Sequence, residues 1–310
     1  MPLGVNLCFA VKRMPEPERW AAFVREELGL DRVQFTFDLL DPWWPDDQRA
    51  RLARRVRDAA AAHDLIIDSC FVGLAHYVPS GLLDPDADAR SAALTWWHRA
   101  IDLTAELGAP AVGGPMGTIS EADAADPDRR ADRQNELVDH LERLARRAAD
   151  SGVRELLVEP TPILREYPAY IDHCQTLLNT LRGRGIDNVG LTLDTGHALF
   201  QRLHGADAGM ESWIHNLGSR IRQIHLDNTD GHGDPHWGWP HPQGTFDVGA
   251  LAACLTDNDL ADISVILEVY PRFEDNTAEV LKLIASSVEH CRAHFPASAD
   301  DQVVRNAAAG

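Results

Sequence analysis

The chain of 310 residues has a net charge of −19, which argues against a nucleic-acid partner, because such proteins normally present a basic patch or stripe. Hydrophobic residues make up 45% and charged residues 25% of the chain, the balance of a soluble globular protein. No apolar stretch approaches the roughly 20 residues of a membrane span, and residues 1–13 lack the features of a secretory signal. The five cysteines show no C-x-x-C spacing, so we expect free thiols in a cytoplasmic protein.

Short apolar segments alternate along the chain with longer amphipathic segments. The predicted strands are residues 4–10, 32–37, 64–71, 110–114, 154–159, 188–194, 221–227 and 263–269. The predicted helices are residues 16–28, 46–63, 87–108, 129–151, 168–183, 207–218, 247–258 and 275–294. Strict alternation of eight strands with eight helices predicts an α/β fold, a single (β/α)8 TIM barrel. We expect the barrel to span residues 1–295 and the small, polar segment 296–310 to be a disordered C-terminal tail.

Four consecutive strands in the second half of the chain end on a side chain that binds hard metal ions. The fifth strand ends at Glu159, the sixth at Asp194, the seventh at His225 and the eighth at Glu268. Active sites of these barrels lie at the C-terminal ends of the strands, and adjacent strands are about 5 Å apart. We therefore expect the four side chains to converge on one divalent ion, for which Mn²⁺, Co²⁺ and Mg²⁺ are the candidates.

Each of these residues also has a structural explanation. An acidic residue that closes a strand is often a helix N-cap, and Asp194, followed by Thr-Gly, fits that role. A single buried histidine is commonly a hydrogen-bonded core residue. Four such strand ends in succession, however, would bury three carboxylates with little positive charge nearby, which is costly without a cation. The metal site is therefore the interpretation that we adopt.

The motifs around these residues resemble those of the xylose-isomerase-like barrel superfamily. The matching segments are E-P at 159–160, L-D-T-G-H at 193–197, H-L-D at 225–227 and L-E at 267–268, and the resemblance covers about residues 3–295. That superfamily includes ketose 3-epimerases, hydroxypyruvate isomerases and endonuclease-IV-type repair enzymes. Residues 11–20, 33–42, 71–77, 113–117 and 234–237 are similar to the erythrulose-phosphate 3-epimerases.

The resemblance implies a divalent-metal-dependent isomerase or 3-epimerase of a ketose or ketose phosphate, tetrulose phosphates included, that works through a cis-enediolate. Glu159 and Glu268 match the glutamates that both bind the metal and exchange protons. Asp194 and His225 match the remaining ligands, and His197 matches a histidine that contacts a substrate oxygen. The implied partner is a small sugar or sugar phosphate. The sequence does not separate epimerisation from aldose–ketose isomerisation, and it leaves the oligomeric state open, a homo-oligomer included.

Further candidate substrate contacts lie near the strand ends. Lys12 and Arg13 follow the first strand, and two cations there suggest an anionic substrate group such as phosphate. Pairing with Glu16 or Glu18 is the structural alternative for these two cations. Glu166 resembles a glutamate behind the epimerase site, although its spacing from the fifth strand is one residue longer than in that family.

The loop after the seventh predicted strand, residues 227–244, is rich in His, Asp and Trp. Asp234 and His236 either contact substrate or hydrogen-bond to each other, and Trp237 is placed to stack on a sugar. The D-x-H spacing of Asp234 and His236 resembles an extra metal site of endonuclease-IV-type enzymes, which makes DNA repair an alternative function. Against it, the fourth strand ends on Gly113 and Gly114, where those enzymes carry a histidine ligand. The sequence is also compatible with a metal-dependent lyase acting on a keto-sugar and with a non-catalytic sugar-binding barrel.

Overall fold

The computed structural model describes residues 1–295, apart from the side chain at position 206. In this part of the chain, eight parallel strands form a closed barrel in chain order. They are β1 (Leu3–Asn6), β2 (Arg32–Thr36), β3 (Ile66–Phe71), β4 (Ala111–Gly114), β5 (Glu155–Val158), β6 (Val189–Asp194), β7 (Ile221–Leu226) and β8 (Ser264–Leu267). β1 pairs with β8 as well as with β2, which closes the barrel. The predicted (β/α)8 TIM barrel is confirmed, while the predicted tail, residues 296–310, lies outside the described residues.

Each of the eight predicted helices has a counterpart among the helices of residues 1–295, and four short helices lie in the loops. The helices are α1 (Pro17–Ala22), α2 (Asp46–Ala62), α3 (Leu74–Tyr77), α4 (Ala87–Leu107), α5 (Glu121–Ala125), α6 (Pro127–Asp150), α7 (Ile171–Gly183), α8 (Thr195–Ala198), α9 (Gln201–His204), α10 (Met210–Leu217), α11 (Val248–Asp257) and α12 (Thr277–Arg292). A π-helical turn, Phe23–Glu27, extends α1. The short helices α3, α5, α8 and α9 span too few residues to show a helical hydrophobic period, so the sequence did not predict them. None of the described helices is long and apolar enough to cross a bilayer.

Several boundaries differ from the prediction, and two of the differences have a visible local cause. Residues 7–10, predicted to continue the first strand, form a 3-10 helix whose N-cap is Asn6, because the Asn6 side chain accepts a hydrogen bond of 2.8 Å from the Cys8 N–H. The fifth long helix begins at Ile171 rather than at Pro168. Its N-cap, Tyr170, has extended backbone angles (φ −130°, ψ 162°), which end the preceding loop.

The helices pack on the barrel through apolar stripes. In α6, Leu137, Leu141, Leu144 and Ala148 are buried and recur at the spacing of one helical face. Burying each leucine side chain contributes about 1.5–3 kcal/mol, which is enough to hold a helix whose remaining faces are polar. Asp126 caps the same helix by accepting hydrogen bonds from two of its first N–H groups.

The fourth strand is rich in glycine because its neighbours approach closely. A Cβ at Gly113 would lie 2.6 Å from the Leu157 Cβ and 2.9 Å from Phe71 Cε2. In the loop that follows, Gly117 has a φ of 131°, and a Cβ there would lie 2.1 Å from the Ser80 carbonyl oxygen. Gly113 thus lets β4 fit closely between β3 and β5, and Gly117 lets the loops after β3 and β4 pack together.

Candidate metal centre and active site

The four predicted metal ligands lie at adjacent strand ends on the C-terminal face of the barrel. Asp194, the last residue of β6, pairs in register with His225 in β7. Glu159 directly follows β5 and Glu268 directly follows β8, and their backbone N–H groups donate to carbonyls of neighbouring strands at 3.2 Å and 2.9 Å. The sheet hydrogen bonding therefore continues to these residues and positions their backbones.

Their side chains converge on one point. One ligand atom of each of the four lies within 4.8 Å of the others. His225 Nδ1 lies 2.9 Å from Glu159 Oε1 and 3.0 Å from Glu268 Oε2. All four residues are buried, Glu159 being the most exposed at 6%. Three carboxylates and an imidazole thus share a small volume that bulk water barely reaches.

The polar atoms of this cluster fit a divalent cation. Among the described residues, Glu159 Oε1, Asp194 Oδ2 and both ring nitrogens of His225 are buried without a hydrogen-bond partner. Buried polar atoms are nearly always paired in native proteins, because an unpaired one forfeits its interaction with water. A divalent ion held by these atoms would restore that interaction, and carboxylate oxygens with an imidazole suit Mn²⁺, Co²⁺ or Mg²⁺.

The helix-cap role that the sequence offered for Asp194 is observed, and its role as a metal ligand stays a prediction. Its Oδ1 accepts a hydrogen bond of 2.9 Å from the His197 N–H and so caps the short helix α8. Its Oδ2 is the oxygen that has no partner among the described residues. One carboxylate oxygen thus fixes the orientation of the group, and the other faces the cluster.

The two glutamates of the cluster differ electrostatically. Burial raises the pKa of Glu159. Burial acts in the same direction on Glu268, but the nearby His225, His236 and His197 rings together outweigh it and lower the pKa of Glu268. For His225 itself, burial disfavours the charged ring, yet Glu268 and Glu159 raise its pKa to about 10. The imidazolium is therefore the counter-charge of the carboxylates in the metal-free protein.

Asn6 orients Glu268 from inside the barrel. Its Nδ2 donates to Glu268 Oε1 at 2.6 Å and to Gln34 Oε1 at 2.6 Å. Gln34 in turn donates to Ser69 Oγ at 3.0 Å and to Gln223 Oε1 at 2.7 Å, so a buried polar network joins β1, β2, β3 and β7. Asn6 was not among the predicted site residues, although a polar residue inside an apolar strand segment was a usable signal.

The loop after β7 brings a second group of polar side chains beside the cluster. Asp234 lies 3.4 Å from His197 Nε2 and 3.2 Å from His236 Nε2, so it bridges the two rings. Partial burial opposes ionisation of Asp234, but the two imidazoles lower its pKa well below the usual range. His236 Nδ1 also lies 3.7 Å from Glu268 Oε2 and 3.7 Å from Asp227 Oδ2.

Asp227, which was not among the predicted site residues either, is fully buried. It accepts hydrogen bonds from the Thr195 hydroxyl at 2.5 Å and from the Gly196 N–H at 2.9 Å. Burial raises its pKa to about 7. The Asp227 side chain thus joins the β7 end to the D-T-G-H turn after β6.

A cavity of about 270 Å³ opens at the metal cluster. Its lining combines acidic, imidazole and apolar side chains and consists of Phe71, Val72, Gly73, Leu74, Tyr77, Pro115, Glu159, Thr161, His197, Asp234, Pro235, His236, Glu268 and Tyr270. Of the predicted substrate contacts, His197, Asp234 and His236 are in this lining.

Glu166 lies behind the lining rather than in it. Its buried carboxylate accepts a hydrogen bond of 2.7 Å from Thr118, one from Thr161, and a long one of 3.5 Å from the Tyr77 hydroxyl. Burial raises its pKa. Glu166 therefore connects the loops after β3, β4 and β5, and its contact with a substrate would run through Tyr77 and Thr161.

Lys12, Arg13 and Trp237 do not contribute to the described lining of this cavity. The Lys12 ammonium lies over the Phe273 ring, 4.7 Å from its centroid, and Arg13 donates to the Arg272 carbonyl. The Trp237 ring stacks on His241 of its own loop, with centroids 3.8 Å apart. All three predicted substrate contacts thus have different interactions in this structure.

Within residues 1–295, every group of side chains that could hold a metal consists of Glu159 and later residues. The ends of β3 and β4 therefore offer no ligand to the centre in this part of the chain. His76, in the loop after β3, instead lies 3.0 Å from Asp41 and accepts a hydrogen bond of 3.2 Å from Trp96 Nε1.

Comparison with known proteins agrees with this architecture. The model of the xylose isomerase-like TIM barrel family matches residues 23–292. A proposed xylose isomerase from Rhodospirillum rubrum is 39% identical, with a TM-score of 0.92, and the match covers 96% of this chain and 100% of that one. The D-erythrulose 1-phosphate 3-epimerase of Brucella abortus is 24% identical over 97% of this chain and 98% of its own length.

A D-psicose 3-epimerase from Clostridium cellulolyticum shares the fold, with a TM-score of 0.71 at 16% identity, covering 96% of this chain and 100% of that one. Because the family model matches most of the chain and the Rhodospirillum protein matches nearly all of it, this protein belongs to the xylose isomerase-like TIM barrel family.

Proposed function

We propose that this protein is a divalent-metal-dependent isomerase or 3-epimerase of a small ketose. The observation that carries the proposal is the convergence of Glu159, Asp194, His225 and Glu268, whose ligand atoms lie within 4.8 Å of one another in a buried cluster. The relatives support it, since one is a D-erythrulose 1-phosphate 3-epimerase and another is a proposed xylose isomerase.

In this proposal the two glutamates exchange protons with the substrate. Both line the cavity, and both approach His225 Nδ1. A bound divalent ion would polarise the sugar carbonyl and favour loss of the proton from the adjacent carbon. One glutamate removes that proton and leaves a planar cis-enediolate, and the other returns a proton to the opposite face, which inverts the carbon. Return of the proton to the neighbouring carbon gives aldose–ketose isomerisation instead.

Residues around the glutamates would orient the substrate and keep the acid–base groups in place. Asn6 holds Glu268 Oε1 at 2.6 Å, which leaves Oε2 facing His225. His197 and His236, bridged by Asp234, present polar ring edges to the cavity and would contact sugar hydroxyls.

The charge of the cavity favours an unphosphorylated substrate. The described lining contains three acidic residues, Glu159, Asp234 and Glu268, and neither lysine nor arginine, and its two imidazoles already contact Asp234. A phosphate dianion there would lack the guanidinium or ammonium contacts that usually bind it. In this respect we propose that the protein differs from the relative named for a phosphorylated tetrulose.

The test is solvent deuterium exchange with a panel of substrates. Protein treated with chelator and reloaded with Mn²⁺, Co²⁺ or Mg²⁺ is incubated in heavy water with four- to six-carbon ketoses and their phosphates. We expect metal-dependent deuterium incorporation next to the carbonyl and a product of unchanged carbon skeleton. A product of different mass would indicate a lyase. If no substrate exchanges deuterium, the remaining alternative is a non-catalytic sugar-binding protein.

A further inference from the structure

A second cavity lies beside the active-site cavity, and three residues line both. The second cavity has a volume of about 280 Å³, and Val72, Tyr77 and Pro115 belong to the lining of each. The active-site cavity alone, at about 270 Å³, is at the lower limit of the roughly 300–1,000 Å³ typical of ligand pockets. It is thus matched to a small sugar, and these three side chains close it on one side.

The second cavity offers mainly apolar and aromatic surface. Trp43, Trp96, Trp97 and Met116 line it, together with small residues of α4 such as Ala93. Its imidazole, His76, already contacts Asp41 and accepts the hydrogen bond from Trp96. An apolar or aromatic group is therefore the ligand chemistry that this space suits.

Tyr77 is the large side chain of the shared boundary, and contacts on both sides hold it there. Its backbone N–H donates to the Gly73 carbonyl at 3.1 Å in α3. Its hydroxyl is 3.5 Å from Glu166 Oε2, and the same carboxylate is fixed by Thr118 and Thr161. The loops after β4 and β5 thus hold the carboxylate that the Tyr77 hydroxyl faces.

We propose that Tyr77 is a specificity-determining residue that limits the length of the substrate. Removing its ring would join the two cavities, and the enlarged site would accept a ketose that carries an apolar group at the end remote from the carbonyl. This inference rests on the proposed function, since it takes a ketose as the ligand of the active-site cavity. Val72 and Pro115, the other two shared residues, have smaller side chains than Tyr77.

The experiment compares the wild-type protein with Tyr77→Ala on an unmodified hexulose and on the same sugar bearing a benzyl ether at its terminal hydroxyl. We expect the wild-type protein to discriminate against the ether, and Tyr77→Ala to raise kcat/KM for the ether by about tenfold or more, the range that one shape change in a pocket produces. Adding Ala93→Phe to Tyr77→Ala refills the second cavity and should cancel the gain.

Tyr77→Leu serves the same purpose if the alanine variant does not fold, since leucine keeps an apolar contact but lacks the ring. Equal use of both substrates by the wild-type protein would overturn the inference. So would folded Tyr77 variants that turn over the hexulose without any gain on the ether. If no protein acts on either sugar, the proposed function fails, and equilibrium binding of the ether to wild type and variant still decides whether Tyr77 separates the cavities.

Discussion

Replacing Asp194 by asparagine separates its two roles. Asparagine keeps the oxygen that accepts the His197 N–H at 2.9 Å, so the cap of α8, worth about 1 kcal/mol, is retained. It removes a negative charge from a cluster within 4.8 Å, where two unit charges interact by roughly 3–4 kcal/mol at an effective dielectric constant of about 20. In the metal-free protein the change removes repulsion from Asp227 and attraction to His197 and His236, and these two effects oppose each other. We therefore expect an unchanged fold and a metal Kd at least about 100-fold weaker.

The assay is thermal unfolding with and without metal, together with elemental analysis. At a metal concentration 100 times the wild-type Kd, the ion stabilises the wild-type protein by about 2.7 kcal/mol. The same relation leaves about 0.4 kcal/mol for a variant whose Kd is 100-fold weaker. At roughly 1.5 °C per kcal/mol for a chain of 310 residues, the metal raises Tm by about 4 °C in the wild type and by less than about 1 °C in the variant.

Asp38→Asn is the matched control. The Asp38 carboxylate also accepts backbone N–H groups at a helix start, from Leu74 at 2.8 Å and Ala75 at 3.1 Å, but it is not part of the metal cluster. This variant should keep the full metal-dependent rise in Tm. If Asp194→Asn keeps it as well, Asp194 is only a helix cap and the reasoning from its unpaired oxygen is refuted.

Three further predictions concern proton transfer, charge and orientation. Glu159→Gln and Glu268→Gln should each lower kcat by about 10²–10⁴-fold while some metal stays bound. Each variant should also exchange deuterium with only one of the two stereoisomeric substrates. Near-normal turnover in both variants would show that the two glutamates only bind the metal. Lys12→Ala removes an ammonium that lies over Phe273, and it should change KM by less than about threefold for a ketose and for its phosphate alike. A KM that rises only for the phosphate would show that Lys12 binds the substrate. Asn6→Ala removes the 2.6 Å hydrogen bond to Glu268 and should weaken metal binding or activity by about 10–100-fold. Metal titration and kcat/KM measure the two effects. Wild-type values for both would show that Asn6 does not orient the carboxylate.

The barrel was predictable because its signals are local and repeated. Branched apolar segments mark strands that are buried on both faces, and the intervening periodic segments mark helices. The misassigned residues 7–10 show the limit of this signal, since their apolar side chains are buried as a strand's would be. Their conformation depends instead on the cap that Asn6 provides.

The cluster of Glu159, Asp194, His225 and Glu268 was predicted from the sequence because parallel strands in a barrel end at the same face. Position along the chain alone thus predicted that these four candidate ligands lie together. The sequence could not assign the two oxygens of Asp194, because the free oxygen is identified only by what lies around it.

The contacts of the loop residues became clear only from the tertiary structure. Lys12 and Glu166 follow strand ends, as the ligands do, yet Lys12 lies over Phe273 and Glu166 accepts three hydroxyl groups behind the cavity. The sequence assigned no role to Tyr77, because its position between two cavities depends on loops from three different strands. A strand end has one direction set by the sheet, whereas a loop side chain takes the direction that its distant neighbours allow.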